Sequence, residues 1–78
     1  MKDIVWDKIM LRELESLASL TDEERIVLHD WGHGKSIVYT SMQHHMSERN
    51  INNLRNSIRA KYDAVQIYTP LLPKRNVK

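Results

Sequence analysis

Between Arg49 and Arg59 the chain sets four asparagines, Asn50, Asn52, Asn53 and Asn56, among three arginines, Arg49, Arg55 and Arg59. An asparagine amide offers a donor and an acceptor side by side, which matches the N6 and N7 edge of adenine in the DNA major groove. An arginine fork matches guanine O6 and N7 in the same groove. Asparagine is a poor helix former, so four of them in one helical stretch ask for a reason other than helix stability. Reading base edges is one reason; plain solvation of an outward face is the other. Arg49, Asn50, Asn53 and Asn56 are the residues expected to touch bases. Lys35, Ser36, Ser47, Arg55 and Arg59 are expected at phosphates, where a contact positions a protein without specifying sequence.

The other reactive residue types form weaker patterns. His29 and His33 stand four apart, with Asp30 where a His-Glu-x-x-His zinc motif carries its glutamate. Aspartate is a shorter base, and Gly32 is expected to end the helix before His33. The spacing shows no third ligand, so no metal or other cofactor is expected. His44 and His45 are expected near a helix C-terminus, where partial positive charge is favourable. Gly34-Lys35-Ser36 ends like a P-loop, but His29 holds the place of its first glycine and no strand-like segment precedes it. Ser36, Ser41 and Ser47 have no oxyanion-hole motif beside them. The chain is therefore not expected to be an enzyme.

Four helices are expected to position these residues. Residues 3–19 lack glycine and proline and carry an apolar arc of Ile4, Val5, Trp6, Ile9, Met10, Leu11, Leu14, Leu17 and Ala18. That arc is wider than the roughly 100° one packing face requires, which points to self-association through residues 3–19. A second helix is expected to start at Thr21, where Thr21 and Glu24 fit a capping box. Gly32 and Gly34 are expected to stop it, with Val27, Leu28 and Trp31 inside. A third helix is expected from Ser36, with its apolar stripe on Val38, Tyr39 and Met42 and a long turn through Gln43, His44 and His45. The fourth, about 47–62, is expected to be capped by Ser47, with Ile51, Leu54, Ile58 and Tyr62 inside. Val65, Ile67 and Tyr68 favour extended chain, and Pro70 and Pro73 oppose a helix. The expected organisation is an amphipathic helix over 1–19, a DNA-binding unit over 20–65 and an extended basic tail over 66–78.

Composition bounds the rest. Seventy-eight residues make one small domain, in which a hydrophobic core alone gives marginal stability. No cysteine is present, so there is no disulfide or thiolate site. No apolar run nears the roughly 18 residues of a membrane span, and no signal peptide is legible at the start; a soluble cytoplasmic chain is the expectation. The net charge of +2 hides an asymmetry. Residues 1–30 carry four basic against eight acidic side chains, and residues 31–78 carry eight against two. A basic second half points to a polyanion partner.

Several short matches fall in one register: Leu20-Thr21, Glu24-Arg25, Val27-Leu28, Gly34-Lys35-Ser36, Met46-Ser47, Ile51, Ile58 and Lys61. On these, residues 20–65 resemble the LuxR/GerE-type helix-turn-helix domain and, more loosely, region 4 of bacterial sigma factors. Where that family's scaffold helix buries an Ile-Ala pair and then a Leu, this chain has Thr40, Ser41 and His44. The resemblance implies a transcription regulator that binds DNA as a dimer. The reading is thus an all-α helix-turn-helix bundle that binds duplex DNA in a sequence-specific way, with the helix about 47–62 in the major groove. The alternative is a small helical adaptor or inhibitor, of the kind carried by mobile elements, that reuses this fold to grip another protein.

Overall fold

A computed structural model describes residues 4–73, so residues 1–3 and the basic stretch 74–78 lie outside the description. The elements run α1 (Lys8–Leu17), α2 (Asp22–Gly32), α3 (Ile37–His44), α4 (Glu48–Val65) and a final 3-10 turn, Gln66–Tyr68. The expected all-α bundle of four helices is what forms, with no strand among the described residues. No described helix is long and apolar enough to cross a membrane.

Each α-helix starts where a side-chain oxygen accepts one of the backbone N–H groups that the first turn leaves unpaired. Asp7 Oδ1 accepts from Met10 N at 2.8 Å, Ser36 Oγ from Tyr39 N at 3.0 Å and Ser47 Oγ from Asn50 N at 3.0 Å. At Thr21 the capping box is complete: Glu24 N donates to Thr21 Oγ1 at 3.1 Å, and Thr21 N donates to Glu24 Oε1 at 2.9 Å. The Asp7 cap corrects the expected first helix, which begins at Lys8 rather than at residue 3. The segment before it is not helical, yet it is anchored, with Ile4 buried and Trp6 half-buried.

The core is built from Met10 and Leu14 of α1, Val27, Leu28 and Trp31 of α2, and Ile51, Ile58 and Tyr62 of α4, joined by Ile4, Leu20 and Leu72. Trp6 lies edge-on to Trp31 at 5.4 Å and to Tyr62 at 5.8 Å between ring centres, a favoured aromatic arrangement. The broad arc expected on α1 is therefore divided. Met10 and Leu14 face in and Leu11 is half-buried, while Val5, Ile9 and Leu17 stay exposed.

The two glycines stop α2 as expected, each in its own way. Gly32 is the last helical residue, and a Cβ there would lie 2.7 Å from both Cδ atoms of Leu11, so its missing side chain makes room for α1. The chain leaves the helix through Gly34, whose φ of 76° is left-handed. There Gly34 N and Lys35 N donate back to the carbonyls of Trp31 and Asp30, at 3.0 and 2.9 Å, satisfying acceptors of the last turn.

In α3 the expected apolar stripe is on the wrong side. Val38, Tyr39 and Met42 are 50%, 40% and 72% exposed, and Thr40 is buried instead. Ile37 and Met46 pack against the core from either end of the helix. Pinning both ends fixes its rotation and turns Thr40 and Ser41 inward, with His44 left exposed. Those polar groups find local partners: Thr40 Oγ1 donates to the Ser36 carbonyl at 3.2 Å and Ser41 Oγ to the Met46 carbonyl at 2.6 Å. The long turn expected through Gln43, His44 and His45 is also corrected. The helix continues to His44, and the chain reverses at His45, whose φ of 55° is left-handed.

The C-terminal segment differs as well. Val65 packs on the core and continues the stripe of Ile51, Leu54, Ile58 and Tyr62, so α4 runs to Val65. That tertiary contact overrides the strand propensity of the local residues. Ile67 and Tyr68 lie in the 3-10 turn rather than in extended chain; Thr69 alone is extended, before a turn at Pro70 and Leu71. Thr69 and Leu72 are buried, and Tyr62 Oη donates to the Pro73 carbonyl. Residues 66–73 are part of the fold and not a tail.

Candidate nucleic-acid interface

The face of α4 opposite its buried stripe is the candidate site. With Ile51, Ile58 and Tyr62 turned inward, the 100° step per residue puts Arg49, Asn53 and Asn56 on one outward line with Ala60. All four are exposed. The side chains of Arg49 and Asn53 make no hydrogen bond with the described residues. Asn56 Oδ1 accepts from Arg59 Nη1 at 2.7 Å, so in this conformation its amide keeps donors but not the paired donor and acceptor that adenine matches. Asn50 sits on the flank, half-buried, and its backbone N–H is the one capped by Ser47.

The expected phosphate contacts fall into three groups. Ser36 and Ser47 are N-caps of α3 and α4, and each hydroxyl keeps its own proton to donate outward. Exposed Lys35 holds its ammonium 4.9 Å above the ring of Tyr39. Arg55 and Arg59 are half-buried rather than extended. Both guanidinium groups lie 4.8 Å from the ring centre of Trp31, and Arg55 Nη2 also donates to the Lys35 carbonyl at 3.2 Å. These two arginines tie α4 to α2 and to the loop before α3, fixing the helix that presents Arg49 and Asn53.

A second tie was not anticipated from sequence. The Glu24 carboxylate is buried between α2 and α4, where Lys61 Nζ lies 2.5 Å from Oε1 and Ser57 Oγ donates to Oε2. Lys61 Nζ also donates to the Ser19 carbonyl at 2.7 Å. Burial alone would raise the Glu24 carboxyl, but Lys61, Ser57 and the Thr21 N–H outweigh it and bring it down from 4.5 to about 2. The capping-box pattern revealed half of this node. Ser57 and Lys61 are separated from it by more than thirty residues, and no local pattern joins them to it.

The histidines do not assemble a metal site; among the described residues no three His, Cys, Asp or Glu side chains could hold an ion. His29 and His33 pack ring to ring at 4.3 Å, and His33 Nδ1 meets the His29 carbonyl at 2.7 Å. His44 Nε2 lies 3.3 Å from Oδ2 of buried Asp30, linking the C-terminal ends of α2 and α3. In Gly34-Lys35-Ser36 the first two residues close the end of α2 and Ser36 caps α3.

Compared with protein-family models, with curated proteins and with solved structures, the chain matches none.

Proposed function

We propose that this protein binds duplex DNA in a sequence-specific way, without catalysis, as a transcription regulator of helix-turn-helix type. The observation that carries the reading is the outward line of α4. Arg49 and Asn53 stand exposed one turn apart near a capped helix start, on the side away from the core. Recognition helices enter the major groove by that first part, and these two side chains suit guanine and adenine edges. The tight reversal at His45 supports it, because it joins α3 and α4 in the short connection such a motif uses. Lys35, Ser36 and Ser47 lie at the starts of α3 and α4, where backbone N–H groups and hydroxyls serve phosphates. Arg55 and Arg59 serve mainly to hold the helix, and their positive charge adds to the attraction for the same polyanion.

A selection of bound sequences from a random duplex pool tests the reading. The expected result is a recurring site bound more tightly than a scrambled duplex, with affinity for both falling steeply as salt rises. A pool that yields no preferred sequence, together with salt-insensitive or absent binding, contradicts it. One observation favours the second reading, a protein-interaction module: the exposed apolar face of α3, which DNA does not require.

A further inference from the structure

Asn53 and Asn56 are the same residue type on the same outward line, but they do not offer the same atoms. Three residues beyond Asn53 stands Asn56, and three residues beyond Asn56 stands Arg59. That spacing brings side chains together on a helix, and Arg59 Nη1 donates to Asn56 Oδ1 at 2.7 Å. A guanidinium carries five donors and no acceptor, so the amide atom that faces it can only be the oxygen. The Nδ2 group is therefore on the free branch of the amide, exposed and without a hydrogen bond to the described residues. Arg59 is not a loose partner. It is half-buried, its guanidinium lies 4.8 Å from the ring centre of Trp31, and Trp31 is itself held in the core, only 9% exposed.

We infer that Arg59 is a positioning residue for base readout: it makes Asn56 a donor-only reader, which selects guanine where a free asparagine selects adenine. The inference rests on the DNA reading proposed above and assigns it a base at one position. Guanine presents two acceptors side by side in the major groove, N7 and O6, and the Nδ2 group has two N–H bonds to offer them. Adenine presents one acceptor, N7, and one donor, the N6 amino group. Matching it takes the amide oxygen, and an amino group that approaches Asn56 Oδ1 meets the N–H groups and the charge of Arg59, donor against donor. The side chain of Asn53 makes no hydrogen bond with the described residues and keeps both halves of the adenine match. The two asparagines thus read different bases, and the difference comes from an arginine that need touch no base itself.

Selection of bound sequences from a random duplex pool, run on the full chain and on Asn56→Ala, tests the inference. The base pair whose preference Asn56→Ala erases is the one that Asn56 reads, and the parent is expected to hold guanine there. Titration against the selected duplex, and against one with adenine at that position, is expected to favour guanine by about fivefold or more in the parent. In Arg59→Met, which keeps an unbranched apolar chain beside Trp31 but has no donor, that preference is expected to vanish. Loss of the Arg59 charge weakens both duplexes together and cancels in the ratio. Asn56→Asp leaves only acceptors outward and is expected to move the preference to cytosine, whose N4 amino group donates. Circular dichroism confirms folding of each variant, and Asn56→Asp, at an exposed residue, decides alone where Arg59→Met does not fold. Adenine at that position in the parent overturns the inference. So does a guanine preference that survives Arg59→Met or Asn56→Asp, or a selected site that Asn56→Ala leaves unchanged; in each of these cases sequence-specific binding itself stands. A parent that selects no preferred sequence overturns the DNA reading, and this inference with it.

Discussion

Glu24 is the residue on which most of the fold converges. Its carboxylate caps α2, accepts from Ser57 and pairs with Lys61, so protonating it loosens three attachments at once. In the folded chain the carboxyl is lowered from its ordinary 4.5 to about 2. A lowered value means the unfolded chain takes up the proton first as pH falls. The stabilisation is therefore fully present above about pH 4.5–5 and is lost as pH falls toward 2, by up to about 3 kcal/mol. Urea midpoints measured from pH 7 to pH 2.5 should decline through that window. Glu24→Gln should flatten the decline while lowering the midpoint at pH 7; an unchanged pH profile in the variant contradicts the assignment. His45 gives a prediction of opposite sign. Its left-handed φ of 55° costs an L-residue about 1 kcal/mol that glycine does not incur. His45→Gly is expected to raise stability by about 0.5–1 kcal/mol, read as a higher urea midpoint, and a lower midpoint would mean that the imidazole ring holds the turn.

The helices were legible to different degrees, for reasons that can be named. α2 and α4 announce themselves by caps and by an apolar period, so Thr21, Ser47, Ile51, Ile58 and Tyr62 occupy their expected places. Thr21→Ala should cost about 1 kcal/mol, the usual loss of an N-cap; an unchanged urea midpoint and slope would show that the capping box does not support α2. α3 misleads because its apolar residues face outward, and its rotation is set by Ile37 and Met46 at its ends rather than by its own pattern. α1 starts late because Asp7 caps it. Its pattern cannot show that Ile4 reaches the core from non-helical chain. The roles of Arg55 and Arg59 were equally hidden, since both stack on Trp31, more than twenty residues away in sequence. Arg59→Ala is accordingly expected to do two things: weaken specific and random DNA alike, and lower stability by about 1 kcal/mol through the lost cation–π contact. Full stability of Arg59→Ala in a urea melt would show that the stacking carries no weight.

At the scale of the whole molecule, both ends of the described chain close on one core. Ile4 and Leu72 are buried in it, Trp6 touches Trp31 and Tyr62, and Tyr62 Oη reaches the Pro73 carbonyl. Proline positions told where the last helix could not continue, but not that Leu72 would return to the core, because no local rule encodes a long-range contact. The candidate site was the more legible part. Arg49, Asn53 and Asn56 follow from one helix and its period, whereas Asn56's bond to Arg59 depends on rotamers that the sequence does not fix. The central claim is that this outward line reads DNA. Its most direct test is titration of the parent, Arg49→Ala and Asn53→Ala against the selected site and a scrambled duplex, at two salt concentrations, with circular dichroism on each variant. The expected result is a loss of roughly 1–3 kcal/mol for each variant on the selected site, little change on the scrambled one, and intact folding. Folded variants that bind the selected site as tightly as the parent would show that this face does not read DNA.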